Sequence, residues 1–370
     1  MRILILNWRD IKNPAAGGAE ILTHEMAKLW VMHGHSVTQI SASFKSSSSQ
    51  DIVDGVKIIR MGRWYTVHVQ AFFYYVLNLK NKTDVIIDEV HGLPFFSKLY
   101  APSKTILFAC EVADKLFFKV FPYPLALFGR TLENIYFSHY RNLPVFAISP
   151  STKEDLVRHG FSSRNITVLP MGLTVPKKIK KFPKEKNPTL IYLSRINKQK
   201  GIEDAVQAFS LIHKNFKKSK LWIAGSGDAE YVNTIKKSIR QMGISSSVKF
   251  FGFVNEAKKF ELLSRAHILI FPSIHEGWGL VIAEAGIVGT PAAVYNVPGV
   301  RDVVKKGERG IIVEKDKPEF LAEAVIKILE NDKLYKKLVS KLSGFKREIG
   351  WDNTSNTSLK ILKKYENTKA

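Results

Sequence analysis

Short apolar runs alternate with segments of helical periodicity along most of the chain. The opening run RILILN, residues 2–7, predicts a buried strand, and apolar positions at every third or fourth place predict a helix over 19–33. A second strand is predicted at 36–40. Strands that alternate with helices are typical of α/β folds with parallel sheets, so this pattern predicts a doubly wound sheet.

A break in the pattern divides the chain. Residues 174–187, TVPKKIKKFPKEKN, combine prolines and lysines with little apolar content, which is typical of a linker. The strand–helix alternation then resumes. The sequence therefore predicts a Rossmann-like N-terminal domain over 1–173, a linker over 174–187, a Rossmann-like C-terminal domain over 188–345 and a largely helical tail over 346–370, with a ligand in the cleft between the two domains.

Four segments of the first domain are interpreted locally. Residues 43–51, SFKSSSSQD, predict a polar loop, and the strongly aromatic residues 64–79 predict a helix. A further helix is predicted to begin at Ser151, with Glu154 completing a capping box and Gly160 ending it. Residues 115–143 are rich in aromatic and basic side chains, and two interpretations are open: core plus a loop, or an amphipathic surface at a bilayer interface.

The most informative stretch is HILIFPSIHEGWGLVIAEAGIVGTP, residues 267–291. It predicts a strand, a glycine loop and a helix whose free N–H groups favour phosphate. Gly277 and Gly279 permit close approach, while Glu276 and Glu284 can accept hydroxyl groups. Phosphates and hydroxyls together indicate a nucleotide sugar. The alternative is a buried strand, a glycine turn and a solvated helix whose glutamates have no role.

Polar side chains follow other predicted strands, at the edge where parallel sheets bind ligands. Asp88, His91 and Glu111 follow strands of the first domain, and Gly17 and Gly18 lie where a loop enters the first helix. Arg195 and Lys200 follow the first strand of the second domain. Two cations in such a loop can neutralise a diphosphate leaving group and lower the barrier to its departure, although solvated loop charges are the alternative.

Composition limits the function classes. The net charge is +23, most of it in the second half, and such an excess attracts polyanions. The lysines are scattered and no nucleic-acid motif is recognised, so a basic surface near an anionic membrane fits better than nucleic acid. One cysteine, Cys110, excludes an internal disulfide, and we expect a cytoplasmic protein without a secretory signal or transmembrane helix, peripheral on the inner face of the membrane.

Taken together, these residues resemble glycosyltransferase family 4. The resemblance rests on motifs that stand in the family's order and spacing: Ser194-Arg195, Lys200-Gly201, Gly225-Ser226-Gly227, Gly252-Phe253-Val254, Pro272-Ser273, Glu276-Gly277-Trp278-Gly279-Leu280, Glu284-Ala285 and Gly289-Thr290-Pro291. The loop Gly17-Gly18-Ala19-Glu20 fits the same family, and the more specific part of the resemblance lies in the second half of the chain.

The resemblance implies a GT-B fold and retaining transfer of a hexose-type sugar from an NDP-sugar to a glycan or lipid-linked acceptor, with no metal or other cofactor. It implies that Arg195 and Lys200 bind the diphosphate, that Glu276 contacts the sugar and that Glu284 contacts the ribose. The remaining residues that it places near the donor are Gly17, Gly18, Gly225, Gly227, Val254, Gly277, Trp278, Gly279 and Leu280. It also implies a C-terminal helix that returns to the N-terminal domain.

The chain departs from the family pattern on the acceptor side. Many members carry a histidine where this chain has Phe108-Ala109-Cys110-Glu111, so His91 or Glu111 is the candidate to face the acceptor. Other hypotheses are a silent nucleotide-sugar or anionic-lipid binding protein, a charge-driven nucleic-acid binder, and an epimerase or phosphorylase of the same architecture. Sugar transfer is favoured over these hypotheses because the chain has all four of the residues Arg195, Lys200, Glu276 and Glu284.

Overall fold

The computed structural model describes residues 1–114, 116–176, 179–180, 182–305, 307–345 and 349–367. Lys115 of the aromatic segment, parts of the predicted linker (177, 178 and 181) and parts of the predicted tail (346–348 and 368–370) lie outside the described residues. The chain forms two compact units, one of residues 1–172 with 350–370 and one of residues 173–349.

The first unit contains an eight-stranded sheet in the order β3-β4-β2-β1-β5-β6-β7-β8. Its strands are β1 (Arg2–Leu6), β2 (Ser36–Ser41), β3 (Gln50–Val53), β4 (Val56–Arg60), β5 (Val85–Val90), β6 (Thr105–Ala109), β7 (Val145–Ala147) and β8 (Ile166–Val168). Neighbouring strands run parallel, except that β3 pairs antiparallel with β4 at the edge. Strands β2, β3 and β4 lie on one side of β1. The chain then crosses back, and β5 to β8 lie on the other side of β1.

Helices pack against this sheet. They are α1 (Gly18–Met32), α2 (Val67–Tyr74), which continues as a π-helix over Tyr75–Leu79, α3 (Ser97–Tyr100), α4 (Leu116–Val120), α5 (Tyr123–Tyr140) and α6 (Pro150–Arg158). The buried residues Val67, Ala71 and Tyr75 recur every fourth position and join a core with Leu4 and Leu6 of β1. That spacing places them on one face of the helix.

The structure corrects three of the local predictions. Strand β3 begins at Gln50, inside the segment predicted as a polar loop, and the aromatic helix begins at Val67 rather than at Trp64. Helix α6 is capped by the Ser149 hydroxyl, which accepts a hydrogen bond from the Thr152 N–H, and not by Ser151. The physical reason is Pro150, whose fixed φ suits the first helical position and moves the start of the helix two residues earlier.

The second unit contains a six-stranded parallel sheet in the order β11-β10-β9-β12-β13-β14. Its strands are β9 (Thr189–Leu193), β10 (Lys220–Ala224), β11 (Val248–Gly252), β12 (Ile268–Phe271), β13 (Ala292–Tyr295) and β14 (Gly310–Val313). Its helices are α7 (Ile202–Asn215), α8 (Ala229–Gln241), α9 (Glu256–Arg265), α10 (Leu280–Ile287), α11 (Val300–Val303), α12 (Pro318–Glu330) and α13 (Asp332–Leu342).

Burial explains why the central strands are so apolar. Every residue of β12 and β13 is buried, because helices cover both faces of a parallel sheet and leave no solvent side. The predicted α/β class with doubly wound parallel sheets is therefore confirmed in both units.

The last described helix, α14 (Trp351–Asn367), belongs to the first unit. The Trp30 indole of α1 donates a hydrogen bond of 3.0 Å to the Ser358 hydroxyl, and both side chains are buried. The Tyr365 hydroxyl donates to the Thr105 carbonyl over 3.0 Å. Among the described residues, no helix is both long enough and apolar enough to cross a membrane.

Candidate active site

In the second unit, two loops meet where the order of strands reverses. The chain adds β10 and β11 on one side of β9, then crosses back to place β12 on the other side of β9. The loops that follow β9 and β12 therefore leave the sheet side by side. Ligands of doubly wound sheets bind outside the carboxyl ends of the strands at such a switch point. Arg195, Lys200 and Glu276 all lie in these two loops.

Backbone contacts fix the two loops to each other. The Ile274 N–H and the Ser273 hydroxyl both donate hydrogen bonds to the Gln199 carbonyl, over 3.0 and 3.1 Å. Gly201 has a φ of +68°, and a Cβ at this position would lie 2.0 Å from the Pro272 carbonyl oxygen. Only glycine permits this close approach. The short helical turn Lys198–Lys200 is closed by the Asn197 side chain, which accepts from the Lys200 N–H.

The predicted cation and carboxylate meet across the two loops. The Lys200 ammonium forms an ion pair with Glu276 Oε1, and the two side chains are only 15% and 14% exposed. Partial burial strengthens this attraction and holds both groups in place. Arg195 lies on the same loop as Lys200 but is exposed, and its guanidinium has no ion-pair or hydrogen-bond partner among the described residues. Its carbonyl accepts from the Tyr192 hydroxyl over 3.1 Å.

The glycine turn leads directly into α10. Gly279 precedes the helix with a φ of +81°, a conformation that favours glycine. A Cβ on Gly299 would lie 2.4 Å from the Gly277 carbonyl oxygen, so a second loop packs tightly against this turn. Trp278 is half-buried and packs against the core of the unit, and Leu280 is the first helical residue. The turn is thus a fixed element with the N-terminus of α10 behind it.

Glu284, one turn into α10, has a partner that the sequence did not reveal. Lys259 of α9 donates to Glu284 Oε1 over 2.6 Å and to Glu256 Oε1 over 2.6 Å. Burial raises the pKa of the Glu284 carboxyl, and the Lys259 ammonium opposes that rise. Because an isolated buried charge is unfavourable, Lys259 is what allows a carboxylate to be kept at this position.

Two glycines of the loop that follows β10, Gly225 and Gly227, are required by close packing. Gly225 has a φ of +139°, and a Cβ there would lie 1.8 Å from the Ser194 carbonyl oxygen. A Cβ on Gly227 would lie 2.2 Å from the Ile196 carbonyl oxygen. Both glycines bring the loop after β10 against the loop that carries Arg195. Val254 follows β11 and is half-buried at the same edge of the sheet.

The first unit has its own switch point, between β1 and β5. Arg9, which follows β1, lies 2.8 Å from Glu20 Oε1 and 3.2 Å from His91 Nε2. His91 Nε2 lies 4.0 Å from Glu111 Oε1. The structure therefore brings the two acceptor-side candidates together, and it adds Arg9 and Glu20, which the sequence interpretation missed. Little in the sequence indicated this pair, because Arg9 is an isolated cation in a loop.

Gly17 and Gly18 lie at the start of α1 in this cluster. The Gly17 N–H donates to Glu20 Oε2 over 2.6 Å, so this amide already has a partner. Gly17 has a φ of −136°, and a Cβ there would make only an ordinary contact of 3.6 Å with Glu20. Gly18 is exposed. Packing against the described residues therefore does not require glycine at position 17, in contrast to positions 201, 225 and 227.

A cavity of about 580 Å³ opens beside this cluster. Aromatic and basic side chains line much of it: Trp8, Phe44, Trp64, Tyr65, Arg9, Lys45 and Arg63. The Arg9 guanidinium lies 4.2 Å above the Trp8 ring. Aromatic faces and cations together suit a ligand that carries sugar rings and negative charge. The sequence interpretation missed this cavity because it assigned Trp64 and Tyr65 to a helix.

Asp88 is not available for a ligand, which corrects its prediction as an acceptor contact. Its carboxylate is fully buried and accepts from the Phe95 N–H, the Ser97 N–H, the Ser97 hydroxyl and the Tyr140 hydroxyl, over 2.6 to 2.9 Å. It ties the segment around α3 to α5 beneath the surface. Asp88 therefore stabilises the fold and does not face a ligand.

Its neighbour Glu89 is a buried acid of a different kind. It accepts from the Thr23 hydroxyl over 2.7 Å and lies 3.3 Å from the Cys110 sulfur. Burial raises the pKa of Glu89 to about 8, and nearby Glu20 adds to the rise. The folded protein therefore keeps a proton on Glu89 between its ordinary pKa of 4.5 and about 8, whereas the unfolded chain releases it.

We expect the free energy of unfolding to fall as pH rises from 4.5 to about 8. We expect this fall to be smaller in the variant Glu89→Gln. The folded state binds more protons than the unfolded state there, so the stabilisation present below pH 4.5 is lost by about pH 8. Between the two pH limits the parent should lose more stability than the variant, by up to about 5 kcal/mol. Urea unfolding at acidic and alkaline pH measures this, with the partly exposed Glu25→Gln as control. Equal pH slopes for parent and Glu89→Gln would contradict the assignment.

Among the described residues, no group of three or more His, Cys, Asp and Glu side chains is placed to hold a metal ion.

Known proteins resemble this chain in sequence and in fold. Residues 175–342, which include both loops of the second unit, match the family model "Glycosyl transferases group 1". An uncharacterized glycosyltransferase of Methanocaldococcus jannaschii is 28% identical over 244 residues, which cover 62% of each chain. The poly(glycerol-phosphate) alpha-glucosyltransferase of Bacillus subtilis is 28% identical over 267 residues, which cover 67% of this chain and 39% of that protein. The alignments thus span about 40 to 60% of these relatives' lengths.

Solved structures extend the likeness to the whole chain. Sucrose-phosphate synthase from Thermosynechococcus elongatus superposes with a TM-score of 0.79 at 18% identity, covering 99% of both chains. Anabaena HepE, solved with UDP and glucose, gives a TM-score of 0.70 at 16% identity, covering 98% of this chain and 100% of that one. These likenesses show the GT-B fold class. The match to the family model covers residues 175–342, which is less than half of the chain.

Proposed function

We propose that the protein transfers a hexose-type sugar from an NDP-sugar to a glycan or lipid-linked acceptor of the cell envelope, with retention of anomeric configuration and without a metal. The observation that carries the proposal is the Lys200–Glu276 pair, held at a switch point beside the Gly277–Leu280 turn. A cation, a carboxylate and the start of a helix in one place suit a ligand with phosphates at one end and hydroxyls at the other.

Each residue has a distinct task in this proposal. The Lys200 ammonium and the Arg195 guanidinium stabilise the negative charge that develops on the departing diphosphate as the glycosidic bond breaks. Backbone N–H groups of the Gly277–Leu280 turn bind the same end of the donor. Glu276 accepts from hydroxyls of the transferred sugar, and Glu284 accepts from the ribose hydroxyls, while the loop at Gly225–Gly227 and Val254 lies near the base.

The ion pair between Lys200 and Glu276 also serves the reaction. It fixes both side chains before the donor binds, so less rotational freedom is lost on binding. The bound diphosphate then forms a second ion pair with Lys200. The Glu276 carboxylate still accepts hydrogen bonds from hydroxyls of the sugar. The leaving phosphate itself can take the proton of the acceptor hydroxyl, which removes the need for a dedicated base.

On the acceptor side, we assign the cavity lined by Trp8, Arg9 and Trp64 and the neighbouring pair His91 and Glu111. Aromatic faces stack on sugar rings, and Arg9 can bind a phosphate or carboxylate of the acceptor. The Bacillus subtilis relative acts, by its name, on a poly(glycerol-phosphate), an acceptor rich in phosphate. An anionic envelope glycan fits these features.

The test is a screen of UDP, GDP and ADP by thermal shift, followed by incubation with the matching labelled NDP-sugars. We expect one nucleotide to raise Tm, with a rise that grows with the logarithm of its concentration above Kd, and its sugar conjugates to be turned over. The anomeric configuration of the transferred sugar in the product, compared with that of the donor by NMR, tests retention. Binding without any turnover would favour a silent nucleotide-sugar binding protein, and no binding of any of the three would contradict the proposal.

A further inference from the structure

The first unit displays an unusual amount of apolar surface. Sixteen of the twenty large apolar side chains that are exposed among the described residues lie between Trp64 and Ile135, whereas the described part of the second unit contributes Phe253 alone. Monomeric proteins rarely expose large contiguous apolar patches unless the patch binds something. The concentration in one part of one unit therefore calls for an occupant.

Helix α2 and its π-helical continuation show the pattern most clearly. Val67, Ala71 and Tyr75 are buried on the sheet, yet most of the exposed side chains of the same segment are also apolar, with Gln70 and Asn78 as the polar members. The outward side chains are Val69, Phe73, Val76 and Leu77, and Leu77 is 78% exposed. A helix that carries apolar side chains on its outward side as well as on its buried side is normally covered on both sides.

Helices α3 and α5 continue this surface. Phe72 of α2 contacts Tyr100 of α3, and the Lys98 ammonium of α3 donates to the His139 carbonyl of α5. The register from β1 through β5 to β6 places the cores beneath α2 and α5 on one face of the sheet. We call the outward side of α2, α3 and α5 the apolar face. Leu99, Tyr123 and Phe128 extend it and are 68%, 70% and 65% exposed.

The charges around the apolar face are almost all positive. The segments 55–83 and 92–110 contain no Asp or Glu, and 116–141 contains only Glu133, which is buried. Lys80, Lys82 and Lys119 are exposed at its margins. A symmetric dimer through this face would set these cations against the same cations of the second copy, which is unfavourable. An anionic bilayer supplies both an apolar interior and opposite charge.

We propose that the apolar face is a docking surface for an anionic lipid bilayer, in which its aromatic and aliphatic side chains enter the interface and the surrounding lysines contact acidic headgroups. Part of this surface, the outward side of α5, lies in the segment for which the sequence left core and interface open. The structure adds α2 and α3 to it. This inference does not depend on the proposed sugar transfer.

Vesicle sedimentation tests the docking surface. We expect the parent protein to bind vesicles of phosphatidylcholine mixed with phosphatidylglycerol more tightly than vesicles of phosphatidylcholine alone, and high salt to weaken binding. The combined variant Phe73→Ser, Leu77→Ser and Phe128→Ser should bind the anionic vesicles at least about tenfold more weakly. Met32→Ser is the control, since Met32 is an exposed apolar residue of α1 outside the apolar face.

Two further readouts keep the outcomes distinct. Circular dichroism and thermal unfolding should show that the combined variant folds, and nucleotide binding in solution should be unchanged because the candidate donor site lies in the other unit. Unaltered vesicle binding by the folded variant would overturn the proposal. Parent protein that ignores vesicles but dimerises, with dimers that the variant dissolves, would overturn it in favour of a second copy of the chain.

Discussion

Replacing Lys200 by alanine should lower the kcat of sugar transfer by about 100- to 1,000-fold while the protein stays folded. The removed ammonium stabilises charge that exists mainly in the transition state, and loss of one such group from a preorganised site typically raises the barrier by about 3–4 kcal/mol. The loss also leaves Glu276, whose side chain is only 14% exposed, without its partner beside an anionic ligand. Steady-state kinetics with the identified NDP-sugar measures the effect.

A matched control for this variant lies on the same turn. Lys198→Ala removes an exposed lysine two residues away, with the same change in net charge and the same loop backbone. We expect Lys198→Ala to keep nearly the full kcat. This result would show that Lys200 acts through a specific contact and not through the overall positive potential of a basic protein. If Lys200→Ala retained parental kcat, or if both variants lost activity equally, the assignment of Lys200 to the diphosphate would be wrong.

Glu284→Gln should weaken nucleotide binding by about 10- to 100-fold and change kcat less. A neutral amide keeps the shape but forms weaker hydrogen bonds with ribose hydroxyls than a carboxylate does. It also takes away one ion-pair partner of Lys259, whose side chain is only 13% exposed. Isothermal titration with the nucleoside diphosphate measures the change. Because the contact is made equally before and during the reaction, the loss should appear mainly in Kd and KM.

Glu256→Gln is the control for the second prediction. Glu256 also pairs with Lys259, but its side chain is 64% exposed and it lies on α9 rather than on α10. It therefore tests whether any disturbance of Lys259 reproduces the effect. We expect its nucleotide affinity to stay within a few-fold of the parent. An unchanged affinity for Glu284→Gln would show that the ribose lies elsewhere.

The pattern of apolar residues was sufficient to predict much of the fold. Buried parallel strands such as β12 are continuous apolar runs, and glycines in loops such as Gly201 and Gly225 mark sharp turns, so both are visible in the sequence. The doubly wound class then places strand-end residues at a common edge. That is why Lys200 and Glu276, 76 residues apart in the chain, were predicted to share a site and do form an ion pair.

What the sequence could not show depends on tertiary contacts. Lys259 is one of many lysines, and nothing local distinguishes it until α9 packs against α10 and brings it to Glu284. Asp88 looked like a ligand contact because its burial and its four internal hydrogen bonds depend on α3 and α5. The edge strand β3 is short and polar, so its periodicity is weak without its partner β4.

A crystal structure with the nucleoside diphosphate that gives the largest thermal shift tests the central claim most directly. The account predicts phosphate oxygens within hydrogen-bond distance of Lys200 Nζ and of backbone N–H groups in the Gly277–Leu280 turn, with the ribose hydroxyls on Glu284. A nucleotide bound elsewhere on the protein, with the Lys200–Glu276 pair untouched by phosphate or sugar, would contradict it.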